Sequence, residues 1–558
     1  MRIRFKLIHL ISLVVLFSSC QDRPGAITAV PATIPLTTVP ATNLPTATAT
    51  QAIAKATNTP TALPTVTPTT MPTATSTPTI SLTAEISVDP TTLPFISEVI
   101  EPAVPDFMEL DAFRAAMRPG NADDVALMAY FTQYRVGATV DLTQGTIAGH
   151  EIIHFINPEE VALEDILLRL YPNLTYMELM PTSADNMRVS TVLVNGEAVE
   201  ARYTAENTAV LIPLAQPLLA GAEAQIELSF TSRFSSEPDE YGLWRLYPFY
   251  PLVAVYDESG WRQDFATAGD VAYNESANHV LSLTATSDLT LVSSGTVISE
   301  TMNDDNTTTY TVLGPGMRQM VAAFSDFSLR QEVVDGITID LWSQANYPFI
   351  EERIATAVAV TAIYNEYFGF YPYNELDIIG LYNPQIGSDG GGLEYPGYVY
   401  ATYGQTPGTF GIAHEIAHQW WYGVVGNDTH LEPWLDEPMA SISALLYFRE
   451  TEGDEAVQRF LRRYLSLLEL EETGSDLPVG RPVYGYRDPF LYIKAVYGNG
   501  VIFLEELRTT MGDDAFFAFL QAYYDMFKYD VASGEDFQVL AEAMSGQDLS
   551  TLFDEWLD

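Results

Sequence analysis

A single cysteine, Cys20, stands in the whole 558-residue chain. That scarcity excludes an internal disulfide, so the fold must rest on packing and, where side chains permit, on a metal. Basic residues are also few: 26 Lys and Arg face 73 Asp and Glu, for a formal net charge of -47. Such a surface repels nucleic acid and anionic lipid, which argues against a nucleic-acid partner and favours solubility in an exposed compartment. Apolar residues, in contrast, are plentiful, at 47% hydrophobic and 12% aromatic. A chain of this length outgrows one hydrophobic core, so two or more domains are expected.

The place of the lone thiol is informative. Arg2, Arg4 and Lys6 form a basic start, Leu7 to Phe17 an apolar stretch, and Ser18-Ser19-Cys20 a small-residue cleavage site. Residues 1–20 therefore read as a secretory signal, too short to span a membrane. Ending in Ser-Ser-Cys, it resembles a bacterial lipoprotein signal, with Phe17 where such signals usually have Leu. The resemblance implies a protein held on the outer face of a bacterial membrane, in the cell envelope, with a lipid on Cys20 as its one membrane contact. Residues 21–94 follow as a Pro/Thr/Ala-rich stretch with almost no charge. It cannot bury enough apolar surface to fold, and its prolines favour extended polyproline II, a disordered stalk with a reach of at most about 200 Å.

Folded sequence is expected from residue 95. Asp106 to Met117 has a helical pattern, after which short alternating runs such as Met128 to Leu142, Thr191 to Val194, Ala224 to Phe230 and His279 to Ala285 predict an antiparallel β domain over 95–330. The pattern changes at 331–558. Strands are predicted at Ile337 to Trp342 and Leu376 to Tyr382, a helix at Phe349 to Tyr367, and a succession of helices from His414 onward. The fold class is thus multidomain α+β: an antiparallel β domain, then a mostly helical domain with a small sheet.

The pattern His-Glu-x-x-His, a zinc-site signature, occurs twice, at His150–His154 and His414–His418. Secondary structure separates the two. On a helix, residues four apart face the same way about 5 to 6 Å apart, and two imidazoles reach one ion at about 2.0 to 2.1 Å. On a strand the same spacing stretches to about 13 Å. The first copy lies in a β-branched run closed by Asn157-Pro158 and reads as a strand. The second, within Thr409 to Trp421, holds no proline and reads as a helix. A third ligand is needed, and Val424 stands where a metzincin would have its third histidine. Glu437, nineteen residues after His418, can return from a second helix; the first copy has Asn173 at that spacing.

His414-Glu415-x-x-His418 with Glu437, Gly391-Gly392-Leu393-Glu394-Tyr395 upstream and Tyr497-x-x-Gly500 downstream together resemble the gluzincin zinc aminopeptidases, the family of alanyl aminopeptidase and leukotriene A4 hydrolase. The likeness runs over about 96–558, as a member without the helical C-terminal domain of larger relatives. It implies a thermolysin-like catalytic domain holding one Zn²⁺ per chain on His414, His418 and Glu437. It further implies Glu415 as general base, Tyr497 as oxyanion donor (with Tyr492 as rival), and Glu394, Gly391 and Gly392 as substrate-binding residues. Two residues depart from the pattern: Tyr395 replaces Asn, and Pro438 replaces Gly after the third ligand, restricting Glu437 towards non-helical geometry. Asp436 can orient a ligand histidine or cap a helix, whereas His430 and His279 read as surface or packing residues. The expected function is removal of N-terminal residues from peptide or protein substrates. The alternatives are an endopeptidase of the same chemistry and a catalytically silent surface binding protein.

Overall fold

The computed structural model describes residues 102–558, except 175–184, 265, 267–268, 271, 287, 386–388, 407, 469–475 and 487. The expected signal and stalk, 1–94, lie outside the described residues. The described residues belong to one compact unit.

Its first part is built on an eight-stranded sheet. The strands that matter below are β1 (Gln133–Asp141), β2 (Thr146–Ile156), β3 (Glu223–Arg233) and β4 (Ala277–Thr286). They run in the order β4-β1-β2-β3, extended beyond β4 by Thr307–Met317 and Thr296–Met302, and beyond β3 by Met187–Val194 and Glu197–Ala198. Neighbours are antiparallel, with one exception: β1 and β4 pair in parallel, Gln133 opposite Asn278. The alternation read from the sequence has a physical counterpart in β2, where every second side chain is buried. The helix expected at Asp106 to Met117 is a 3₁₀ turn at Leu110–Ala116, and β1 begins only at Gln133.

The second part starts with a five-stranded sheet. β5 (Ser328–Val334), β6 (Ile337–Ser343), β7 (Glu375–Tyr382), β8 (Asp389–Tyr395) and β9 (Tyr398–Tyr403) lie in the order β5-β6-β7-β9-β8. The boundary expected at residue 330 thus falls inside β5. β6, β7 and β9 are parallel, and β8 closes the edge antiparallel to β9. α1 (Ile350–Tyr367) connects β6 to β7, and α2 (Thr409–Ala417), α3 (Glu437–Glu452), α4 (Asp454–Leu467) and α5 (Gly500–Met511) follow. No helix among the described residues is long and apolar enough to cross a membrane.

One hydrophobic cluster runs from Phe113 through β1, β2 and β4 to Trp420, Trp434 and Phe553, so both parts share a core. The buried Arg318 guanidinium ties them further, donating from Nε to the carbonyl of Tyr422 (2.8 Å) and from Nη1 to that of Asn274 (3.1 Å).

Candidate metal centre

α2 carries His414 and Glu415, and His418 caps its C-terminal end in helical conformation; all three are buried. Their four-residue pitch puts both imidazoles on one face, with ring centroids 4.8 Å apart. Glu437 opens α3, which packs along α2. The three donor atoms form a near-equilateral triangle: His414 Nε2 to His418 Nε2 is 3.1 Å, His414 Nε2 to Glu437 Oε2 is 3.2 Å, and His418 Nε2 to Glu437 Oε2 is 3.3 Å. Ligands at about 2.0 to 2.1 Å from a tetrahedral zinc are spaced by roughly 3.3 Å, so these residues fit three corners and leave a fourth open. The opposite ring nitrogens are also held: His418 Nδ1 lies 3.2 Å from the Trp421 carbonyl, and His414 Nδ1 lies 3.2 Å from Ser441 Oγ. Those contacts leave each Nε2 free to face the ion. Against the cost of burial, the close approach of His414 and His418 holds the Glu437 carboxyl well below its usual range.

Asp436 acts as a cap. Its Oδ1 accepts from the Glu437 backbone N–H (2.7 Å) and its Oδ2 from Asn427 Nδ2 (3.0 Å). Pro438 does not disturb the ligand, because it stands in the first helical turn, where no intrahelical N–H bond is required. Room for its ring comes from Gly500: a Cβ at 500 would lie 2.4 Å from Pro438 Cγ.

β8 crosses over the helix here. The stretch Gly391 to Tyr395 lies on this edge strand, and Glu394 is buried. Gly392 is required for that approach, since a Cβ there would lie 2.5 Å from the Glu415 carboxyl carbon. Gly391 is exposed, and a Cβ on it would meet nothing within 4 Å. Tyr497 sits on a π-helical turn, Ile493–Asn499, and its hydroxyl donates a short hydrogen bond to Glu437 Oε1. The rival Tyr492 is buried 5.9 Å from Tyr497, ring to ring, with its hydroxyl against Gly269.

One residue was missed by the sequence reading. Asp270, from the irregular segment before β4, shares a hydrogen bond with Glu394, which in turn bonds Glu415. Burial raises Asp270, and burial plus the Asp270 charge raises Glu394 well above the usual carboxylate range. Burial also pushes Glu415 up to about 8, with the neighbouring Glu437 and Asp270 charges adding to it. Five carboxyls, counting Asp436, therefore surround two imidazoles, a field that favours a divalent cation and an ammonium group.

Two histidines prove internal. His279 packs between Tyr250 (hydroxyl to Nδ1, 2.8 Å) and the Met317 carbonyl (Nε2, 2.9 Å). His430 is buried against Asp264 rather than lying at the surface. In the first copy of the motif, His150 and His154 are 3.2 and 3.1 Å from Glu227 and Glu223 of β3, each with its own acid.

Residues 408–556 match the peptidase family M1 domain, a stretch that contains both histidines, Glu415, Glu437 and Tyr497. Over that stretch the chain is similar to the peptidase M1 family. Aminopeptidase M1-B of Oryza sativa subsp. japonica is 24% identical to this chain over 382 residues, covering 63% of the chain and 42% of that protein. Aminopeptidase N of Lactococcus lactis subsp. lactis is 30% identical over 154 residues, or 26% of the chain and 18% of that protein. The chain thus spans less than half the length of these curated relatives. Among solved structures, an M1 zinc metallopeptidase from Deinococcus radiodurans shares the fold, with a TM-score of 0.57 at 19% identity over 77% of this chain and 93% of that one. A mutant of that protein bound to a Tyr-Ser-Ala substrate superposes with a TM-score of 0.56.

Proposed function

We propose that this chain is a zinc metallopeptidase of the M1 type that removes N-terminal residues from peptides. The observation that carries the reading is the pairing, in one buried space, of a three-donor metal triangle with the hydrogen-bonded carboxyls of Glu394 and Asp270. The first suits zinc and the second suits a free α-amine. When bound on His414, His418 and Glu437, zinc supplies an acidified water and polarises the scissile carbonyl.

Glu415 takes the proton from the attacking water and passes it to the leaving amine. Its raised affinity for protons suits both halves of that task near neutrality. Tyr497 turns its hydroxyl from Glu437 to the oxyanion, for which burial keeps the phenol protonated. Glu394 and Asp270 fix the amine and so set the cut one residue in from the N-terminus, with Gly392 bringing β8 close enough for this. Gly391, solvent-facing at the same edge, meets the substrate backbone. The same reading keeps the lipid on Cys20 as the membrane contact and peptides or proteins as substrates, a pattern that suits an enzyme displayed in the cell envelope.

The test is a pool of peptides, half of them N-acetylated, incubated with the zinc-loaded protein and read by mass spectrometry, with Glu415→Gln as the blank. Stepwise loss of N-terminal residues from free peptides alone supports the aminopeptidase. Internal cuts in acetylated peptides make it an endopeptidase and remove the amine role of Glu394 and Asp270. Products identical to the blank favour a silent binding protein.

A further inference from the structure

Asp270 belongs to the β-rich part of the chain, whereas the residues it faces belong to the catalytic part. The described residues around it, between Trp261 and Ala277, lie in no strand or helix, so something other than a ladder or a helix must hold the carboxyl beside Glu394. On the N-terminal side of Asp270 stands an ion cluster centred on the buried Arg262, with Asp257 and Asp264 partly exposed. Arg262 grips Asp264 with two parallel bonds, Nε to Oδ1 and Nη2 to Oδ2, both 2.7 Å. Its Nη1 reaches Asp257 Oδ2 at 3.2 Å and makes a short bond to Asp428 Oδ2 of the catalytic part. Asp264 Oδ2 is also 3.0 Å from His430 Nδ1.

The catalytic side of this cluster is itself braced. Asp428 Oδ1 accepts the backbone N–H groups of His430 (3.0 Å) and Leu431 (2.9 Å), so one carboxylate shapes the turn and holds the arginine. Against the cost of burial, His430 and Arg262 keep Asp264 well below the usual carboxylate range, so it is ionised at any working pH. On the C-terminal side of Asp270 the chain is tied again. Tyr171 donates to Asn274 Oδ1 (2.8 Å), Asn274 Nδ2 donates to Gln319 Oε1 (3.0 Å), and Gln319 Nε2 donates to the Tyr422 hydroxyl (2.8 Å).

We infer that the Arg262–Asp264–Asp428–His430 cluster is a clamp that positions Asp270, so that recognition of the substrate's free amine depends on an ion network remote from the metal. Arg262 and Asp428 are positioning residues that touch neither substrate nor ion. The inference rests on the amine-binding reading of Glu394 and Asp270 and assigns it a support: the β-rich part shapes exopeptidase specificity through this contact.

Two hydroxamates that differ only in the amine, leucine hydroxamate and its des-amino counterpart 4-methylpentanoyl hydroxamate, separate this role from a general structural one. Both use the metal, and only one uses the amine site. Inhibition constants are measured on the zinc-loaded full chain for wild type, Arg262→Met, Arg262→Lys, Asp270→Asn and the Arg262→Met/Asp270→Asn double variant, each with its zinc content. The clamp predicts that Arg262→Met weakens leucine hydroxamate by about tenfold or more, the scale of one charged hydrogen bond, and the des-amino compound by less than about twofold. Asp270→Asn should give the same selective loss, the double variant no further loss, and Arg262→Lys, which keeps the charge without the fork, an intermediate one.

Equal weakening of both inhibitors, no weakening of either, or multiplying losses in the double variant overturns the clamp. Should Arg262→Met fail to fold, Arg262→Lys and Asp428→Asn carry the same comparison. A wild type that binds both inhibitors equally overturns the amine reading itself and the clamp with it, whereas selective binding untouched by the Arg262 variants overturns the clamp alone.

Discussion

In β2, His150 and His154 stand two pleats apart and each meets a separate acid of the next strand, while Glu151 points the other way, into the core. On α2 and its C-cap, His414 and His418 bring their Nε2 atoms to 3.1 Å, and Glu415 turns to the same cleft. The same letters thus give two dispersed surface pairs in one place and a convergent metal site in the other. Pitch decides: a strand rises about 3.3 Å per residue and a helix 1.5 Å. The difference shows that a metal motif is a statement about backbone geometry before it is one about residue types. The glutamates differ as sharply. Glu151 is wholly buried with neither oxygen hydrogen-bonded, and burial raises it well above its ordinary value. Glu415 is equally secluded, but it faces histidines and an open coordination corner.

The largest effect that would break this comparison concerns the ligands. His414→Ala or His418→Ala should strip bound zinc, from about one ion per chain to none detectable by elemental analysis, and abolish hydrolysis. His150→Ala and His154→Ala should keep both. Retention of zinc in the first pair, or its loss in the second, would reverse the assignment of the site.

Next come the two glutamates. Glu415→Gln should retain zinc and lower kcat/KM on an aminoacyl p-nitroanilide by about 10² to 10⁴-fold, the usual range for a general base. Glu151→Leu should leave turnover unchanged. Tyr497→Phe follows, with kcat down by about 10² to 10³-fold and KM nearly constant, as for loss of one oxyanion donor. An equal loss in Tyr492→Phe would move the role to that residue.

The smallest effect is on stability. Leucine at 151 removes an unpartnered buried carboxyl and should stabilise the fold by about 1 to 3 kcal/mol in denaturant titrations. The sign with pH is fixed. Because the folded value is raised, the wild type is most stable, as far as this group goes, below the ordinary carboxyl value of 4.5 and loses that contribution as pH climbs towards the folded value. The gain from Glu151→Leu should therefore be larger at pH 8 than at pH 5. A gain that shrinks with pH would show Glu151 to be paired and ionised.

The parts of the site legible in the sequence were those whose spacing follows from a single helix or a short return: His414, Glu415, His418 and Glu437. The β-branched run around Ile152 and Ile153 likewise marked the strand. Asp270 was not legible, since it lies 124 positions before Glu394 on a segment without periodicity and meets it only through the tertiary fold. β8 was hidden by its three glycines, which suppress strand propensity while permitting the close pass over Glu415. Tyr497 sits on a π turn that no 3.6-residue period predicts, so only its motif pointed to it. Asp436 left two readings open in sequence, and the bond from the Glu437 amide settles it as a cap.

The contact between Pro438 and Gly500 makes two distant positions a matched pair. Alanine at 500 would collide with the proline ring, whereas glycine at 438 would leave Val479 Cγ1, at 3.5 Å, as the nearest neighbour of the new methyl group. The two positions are therefore not separately exchangeable. A chimera that imports the family's usual glycine at 438 inherits a void beside the tyrosine-bearing turn, and it becomes the background in which residue 500 is first free to vary.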